Sequence, residues 1–314
     1  MCGGPAVKAG PPARFRPGAP DLVFNVVMAT HTHDGIDWAE RLSVLRLADA
    51  LDAGAMAAAA SRLVAPLPES PTIVDIGCGA GGMSVLFARE LARRSGGTLV
   101  VADLTPELLA EAERAVTAEG VTCRAVLSDL ADSALPDLLP SADLVWASGV
   151  VHHIPDQQAA IRTLATLARP GGWLAISEGG LTARCLPWDL GLGRPGLEGR
   201  MLAARDDWFA EMRSSIPGVV SMPYGWSEAL RRADLSEVTS FGVLVEHPAP
   251  GPALLRDFVV HHVHRFAESA ADRLADDDRD VLGVLLDPGS PEYLGAREDL
   301  YLLGAKAIHC GRRG

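Results

Sequence analysis

A doubly wound α/β fold is what this sequence of 314 residues predicts: seven strands in a mainly parallel sheet, with N-terminal helices and helical lid insertions. Three observations carry the prediction. Between residues 72 and 177, short β-rich apolar runs alternate with segments of helical period, the pattern of a parallel sheet wrapped by helices. The first run ends in a glycine-rich turn, Gly77-Cys78-Gly79-Ala80-Gly81-Gly82, that passes straight into a helix. Two later β-rich runs, at 238–245 and 299–308, extend the sheet.

Taken in order, residues 1–20 hold five prolines and little apolar material, which predicts a disordered tail. Residues 21–66 are expected to form an N-terminal helical cap. Within it Trp38, Leu42 and Leu45 recur at i, i+4 and i+7 and predict a helix over 37–51, and the alanine-rich run from Met56 to Val64 predicts a second. The core of 67–179 places strands at 72–77, 98–103, 123–128, 143–148 and 172–177. Its helices have legible stripes and ends. Met83, Leu86, Phe87 and Leu91 share one face, Thr105-Pro106 opens a helix with proline in the first turn, and Asp156 caps another that turns Ile161, Leu164 and Leu167 inward. Arg169-Pro170-Gly171-Gly172 stops that helix and starts the fifth strand. Residues 180–223 break the rhythm as a helical insertion or lid, with Met201, Leu202, Arg205, Trp208, Phe209 and Met212 on one helix face over the carboxyl ends of the strands. Residues 224–314 return to the core with a helix at 225–233 and the last two strands, interrupted by a helical insertion at 250–297.

Composition excludes several functions. Hydrophobic residues at 48% and charged ones at 22% suit a globular chain. A net charge of −12, with 28 basic residues scattered among 40 acidic ones, argues against a nucleic-acid partner. Five cysteines, far apart and without CxxC spacing, suggest neither a disulfide framework nor a metal site, and point to the reducing cytoplasm. The first twenty residues lack a basic and an apolar export region, and no run of 18 apolar residues follows, so no membrane association is expected.

A glycine-rich turn between strand and helix lets backbone approach a ligand and leaves amides free to bond it. By itself the turn is ambiguous, because Gly77, Gly79 and Gly82 also fit a dinucleotide-binding spacing, and Asp103 at the end of the second strand would serve there as a ribose ligand. Three further segments decide between the two. They are Ser128-Asp129-Leu130, then Asp143 to Ser148 leading into Val151-His152-His153-Ile154-Pro155-Asp156, and Leu167-Ala168-Arg169-Pro170-Gly171-Gly172-Trp173-Leu174. With Asp75 two residues before the first glycine, they resemble in order and spacing the motifs of class I S-adenosylmethionine-dependent methyltransferases, of the type found among actinobacterial small-molecule enzymes. The resemblance covers residues 72–178.

That resemblance implies S-adenosyl-L-methionine as cofactor, with S-adenosyl-L-homocysteine as product. It implies that Asp103 holds the ribose hydroxyls, Asp129 the adenine amino group, and Leu104 and Leu130 the two faces of the ring. Gly77 and Gly79 would make room for the methionine part, and Asp75 would order the turn or attract the ammonium. Gly81, Ser128 and Ser148 complete the implied set. Methyl transfer from a sulfonium needs alignment and, for a weak nucleophile, a base. His152 and His153, at the end of the fourth strand, are candidates for that base, with closure of the loop as the alternative role. His31 and His33 beside Asp34 are a second pair. His261, His262 and His264 fall on one predicted helix, where a surface or pocket lining is expected rather than a metal. Trp146, Trp188, Trp208, Tyr224 and Trp226 fall in or beside the lid and strand ends, as apolar substrate contacts or as core.

The function expected is therefore methyl transfer to an O or N nucleophile of a small molecule in secondary metabolism. The terminus of a ribosomally made peptide is the alternative substrate. An NAD-dependent oxidoreductase and a cofactor-binding protein without turnover are the alternatives from other classes, and a homodimer is an assembly left open.

Overall fold

The computed structural model describes residues 38–94 and 96–314. His31, His33 and the expected tail of residues 1–20 lie outside them. In chain order the elements are α1 (Trp38–Val64), β1 (Thr72–Ile76), α2 (Gly82–Ala92), β2 (Thr98–Asp103), α3 (Pro106–Ala118), β3 (Thr122–Leu127), α4 (Leu135–Leu138) and β4 (Ala142–Ser148). After a single 3-10 turn at Val151–His153 come α5 (Gln157–Leu167), β5 (Ala168–Arg184), α6 (Leu197–Ser215), α7 (Trp226–Arg231), β6 (Leu235–His247), α8 (Ala253–Ser269), α9 (Asp276–Leu286) and β7 (Leu302–Arg313).

The strands form a seven-stranded sheet in the order β3-β2-β1-β4-β5-β7-β6. The first five are parallel, and β7 runs antiparallel between β5 and β6. Successive residues of the central strands go to opposite faces. Ile73, Leu99, Val101, Leu144 and Trp146 pack with α1, α2 and α3 on one side, and Val74, Ile76, Val100, Val145 and Ala147 pack with α5 and α7 on the other. Burial on both faces is why these strands read as continuous apolar runs. A third cluster joins α6, α8 and α9 through Met201, Val259, Val263, Phe266 and Leu282. The order of strands reverses between β1 and β4, so a crevice opens at their carboxyl ends.

Four expectations need correction. The two preface helices are one, α1, of 27 residues. No proline interrupts it, and Gly54 in its interior costs only about 1 kcal/mol against alanine. The fifth strand, expected over 172–177, runs from Ala168 to Arg184, because its extension pairs with β7 at Gly180↔Lys306, Leu181↔Ala305 and Arg184↔Leu303. The sixth strand is longer than 238–245 for the same reason, its ends pairing as Leu235↔Arg313 and His247↔Leu302. The last strand is displaced from 299–308 to Leu302–Arg313. Asp299 is engaged by Arg297, whereas Arg313 is tied to the carbonyls of Thr166 and Ala168. Asp156 caps α5 as expected, accepting from the Ala159 amide at 2.9 Å. Among the described residues no helix is long and apolar enough to cross a membrane.

Candidate active site

The glycine turn closes the carboxyl end of β1. Gly77, Gly79 and Gly81 have φ of 65°, 55° and 89°, in the left-handed region open to glycine. The amides of Gly77 and Cys78 are held by the Ala102 carbonyl on β2 at 2.8 and 3.1 Å. A methyl group on Gly81 would lie 2.8 Å from the Ala112 backbone of α3, so this position sets how closely the two helices approach. A methyl group on Gly77 would collide with the Val150 side chain, whereas on Gly79 it would meet nothing within 4 Å. The turn therefore has one face packed and one face open. Gly77→Ala is expected to cost about 2 to 4 kcal/mol of unfolding free energy, from left-handed strain plus overpacking. Gly79→Ala should show the strain alone, so equal denaturation midpoints for the two variants would mean that Val150 moves aside freely.

Asp103, at the end of β2, is 8% exposed and stitches this region together. One carboxylate oxygen accepts from the Gly79 amide and the other from the Thr105 amide, both at 2.9 Å. Each oxygen has a second lone pair left for a ligand. Asp75 lies deeper, 2% exposed, with Ser84 donating to it at 2.5 Å. Burial pushes its carboxyl up to about 7, against the lowering effect of Ser84 and with help from the charges of Asp103 and Asp49. Asp49 reaches from α1 to the start of α2, where its carboxylate fills the space a Gly82 side chain would take. Burial and the neighbouring Asp52 push it to about 6, although Lys306 acts the other way. Burial also raises the Cys78 thiol well above its ordinary range.

The other expected positions line the same strand ends. Leu104 is 39% exposed beside Asp103, and Leu130 is 7% exposed within the core, so the two offer a ligand unequal surfaces. One oxygen of Asp129 accepts from the Ala131 amide at 2.8 Å, which shapes its own turn. The Ser128 amide donates to the Asp103 carbonyl at 3.0 Å, and Ser148 is exposed at the end of β4.

After β4 the chain folds around Glu178. Glu178 is 4% exposed and follows the part of β5 that pairs with β4 at Ser148↔Ser177. It accepts from the Val150 and Val151 amides at 3.0 and 2.8 Å on one oxygen, and lies 2.8 Å from His152 Nδ1 on the other. The His152 ring stands 4.1 Å from that of His153 and 5.7 Å from Phe209 on α6. Arg213, also on α6, donates to the carbonyls of His152 and Ile154 at 2.7 and 2.9 Å, and its burial lowers the guanidinium pKa. The insertion is thus fastened to the loop that carries the histidines.

Other expected groups part company. On α8, His262 stacks on Phe258 and meets Phe266 edge-on, with burial pushing it down to about 4, and His264 pairs with Glu268. His261 lines a cavity of about 410 Å³ with Ser43, Arg46, Leu47, Asp257, Val260 and Tyr293. Among the described residues no three metal-binding side chains converge. Trp146 is buried in the core, Trp188 is 75% exposed, and Arg232 lies 3.9 Å over the Tyr224 ring.

Sequence reasoning missed Asp49, Ser84, Glu178 and Arg213. Only Asp49 left a signal, since it continues the stripe of Leu42 and Leu45 as a carboxylate where an apolar residue belongs.

Comparison with known proteins matches residues 74–176 to the family described as methyltransferase domain. The methyltransferase GfsG of Streptomyces halstedii is 38% identical over 34% of this chain and 37% of its own length. A trans-aconitate 2-methyltransferase of Variovorax paradoxus is 35% identical over 35% and 39%. A ubiquinone biosynthesis O-methyltransferase of Xanthomonas axonopodis pv. citri is 33% identical over 35% and 44%. The chain spans less than half the length of each of these relatives.

Proposed function

We propose that residues 74–176, which match the methyltransferase-domain family, form a class I S-adenosylmethionine-dependent methyltransferase domain, and that the chain transfers the sulfonium methyl group to an oxygen or nitrogen nucleophile of a small molecule. The observation that carries this reading is the charge at the start of α2. A helix N-terminus behind a glycine turn is ordinarily an anion site, and a dinucleotide would place its pyrophosphate there. Here Asp49 occupies that position, with Asp75 and Asp103 close by. In their ionised forms these three carboxyls repel a pyrophosphate and attract the ammonium and sulfonium of S-adenosylmethionine. The antiparallel β7, inserted between β5 and β6, also departs from the 3-2-1-4-5-6 strand order of the dinucleotide sheet.

The residues present fit the cofactor. The open face of Gly79 leaves space for its amino-acid part, Asp103 has acceptor capacity for the ribose, and Leu104 is exposed beside it. When bound, the cofactor supplies an electrophilic methyl group, and the chain's own task is alignment and proton removal. His152 is the base in this reading, because it stands at the end of β4 in the crevice and under α6. The helical insertion supports a modest organic substrate of secondary metabolism, and four free cysteines among the described residues support work in the cytoplasm.

S-adenosylhomocysteine is expected to raise the melting temperature, since ligand at a hundred times Kd adds about 2.7 kcal/mol to the native state. NADH is expected to leave it unchanged. Stabilisation by NADH and not by S-adenosylhomocysteine would end this reading. Transfer of label from methyl-labelled S-adenosylmethionine into cell extracts then identifies the acceptor.

A further inference from the structure

We propose that Glu178 is a positioning residue that sets the tautomer of His152 and aims its free nitrogen at the substrate, an inference that rests on the methyltransferase reading above. The geometry is specific about which nitrogen is free. An ionised carboxylate can only accept hydrogen bonds, so His152 Nδ1, 2.8 Å from Glu178, carries the hydrogen. Nε2 is then bare and able to take a proton from an attacking hydroxyl or ammonium.

The carboxylate itself is held in place. Its other oxygen takes the amides of Val150 and Val151, which lie on the same loop as His152. The backbone of Glu178 is anchored from behind by His309, whose Nε2 lies 3.3 Å from the Glu178 carbonyl and whose Nδ1 lies 2.7 Å from Ser240 Oγ. Arg213 grips the carbonyls on either side of His153. Closing the loop needs only the first oxygen of Glu178. The bond from the second oxygen to the imidazole adds an orientation that closure alone does not require.

Glu178→Gln separates the two roles. The glutamine carbonyl can keep both backbone amides, and its NH2 group then faces Nδ1, which must become the acceptor. The hydrogen moves to Nε2 and the base is blocked. Long-range proton–nitrogen NMR spectra of histidine-labelled protein are expected to show His152 protonated at Nδ1 in the wild type and at Nε2 in Glu178→Gln. Calorimetry with S-adenosylhomocysteine should give the same affinity for both. Transfer to the acceptor found in the extract screen should fall about a hundredfold in the variant, the scale of general-base catalysis. An Nε2-protonated His152 in the wild type, the same tautomer in both proteins, or undiminished transfer by the variant would each overturn the assignment. Failure of the wild type to bind S-adenosylhomocysteine would instead remove the methyltransferase reading, and the base with it.

Discussion

Asp103→Ala is expected to weaken S-adenosylmethionine binding about ten- to hundredfold, the equivalent of about 1.5 to 3 kcal/mol. Two losses combine. The ribose hydroxyls lose a charge-assisted acceptor in a partly desolvated site. The Gly79 and Thr105 amides lose the carboxylate that now joins the glycine turn to the start of α3. Asp103→Asn is expected to be nearly as damaging as alanine. An asparagine offers one oxygen where the turn presents two N–H donors, so its NH2 group must face an amide. Asp103→Glu keeps the charge but moves it outward by a methylene, and is expected to fall between. Calorimetric titration of the three variants, with circular dichroism to confirm folding, tests the order. Wild-type affinity in a folded Asp103→Ala protein would place the ribose elsewhere.

The ease with which Asp103 was found, and Glu178 missed, follows from where each draws its meaning. Asp103 closes a strand whose length and apolar run are local, and it precedes a Thr-Pro helix start, so its sequence neighbours announce its position. The glycine turn is local in the same sense. Glu178 matters only because β5 pairs with β4 and brings it beneath a loop 26 residues earlier in the chain. No spacing in the sequence records that contact. Asp49 depends on the crossing of α1 over the start of α2, which an expected break near residue 52 would have redirected. The end of the sheet was the least legible part, because β7 is fixed by its antiparallel partners on both sides rather than by its own pattern. Its last three residues, Gly311 to Arg313, carry no apolar signal at all.

Binding of S-adenosylmethionine is expected to strengthen as pH rises from about 5 to about 8, with release of protons. The sign follows from the carboxyls at the turn. Asp75 is pushed up to about 7 and Asp49 to about 6, so near pH 5 both are largely protonated in the free protein. A cation favours their charged forms, so binding below pH 7 must first remove protons, and affinity falls by up to tenfold per pH unit for each group that is required ionised. If Asp75 alone is required, the change between pH 8 and pH 5 is about a hundredfold. Above pH 8 the affinity should level off. Calorimetry in two buffers of different ionisation enthalpy measures the protons directly. Asp75→Asn should flatten the profile, binding more weakly than the wild type at pH 8 and about equally at pH 5. The same substitution has an opposite signature in the free protein. A carboxyl raised in the folded state stabilises most below its unfolded value near 4, and that contribution is lost as pH rises through about 7. The uncharged asparagine can still accept from Ser84 and loses nothing over this range. Asp75→Asn is therefore expected to melt above the wild type at pH 8 and level with it at pH 4. A pH-independent affinity in the wild type, or a variant that melts lower at pH 8, would show that the Asp75 carboxyl is not the proton that the cation displaces.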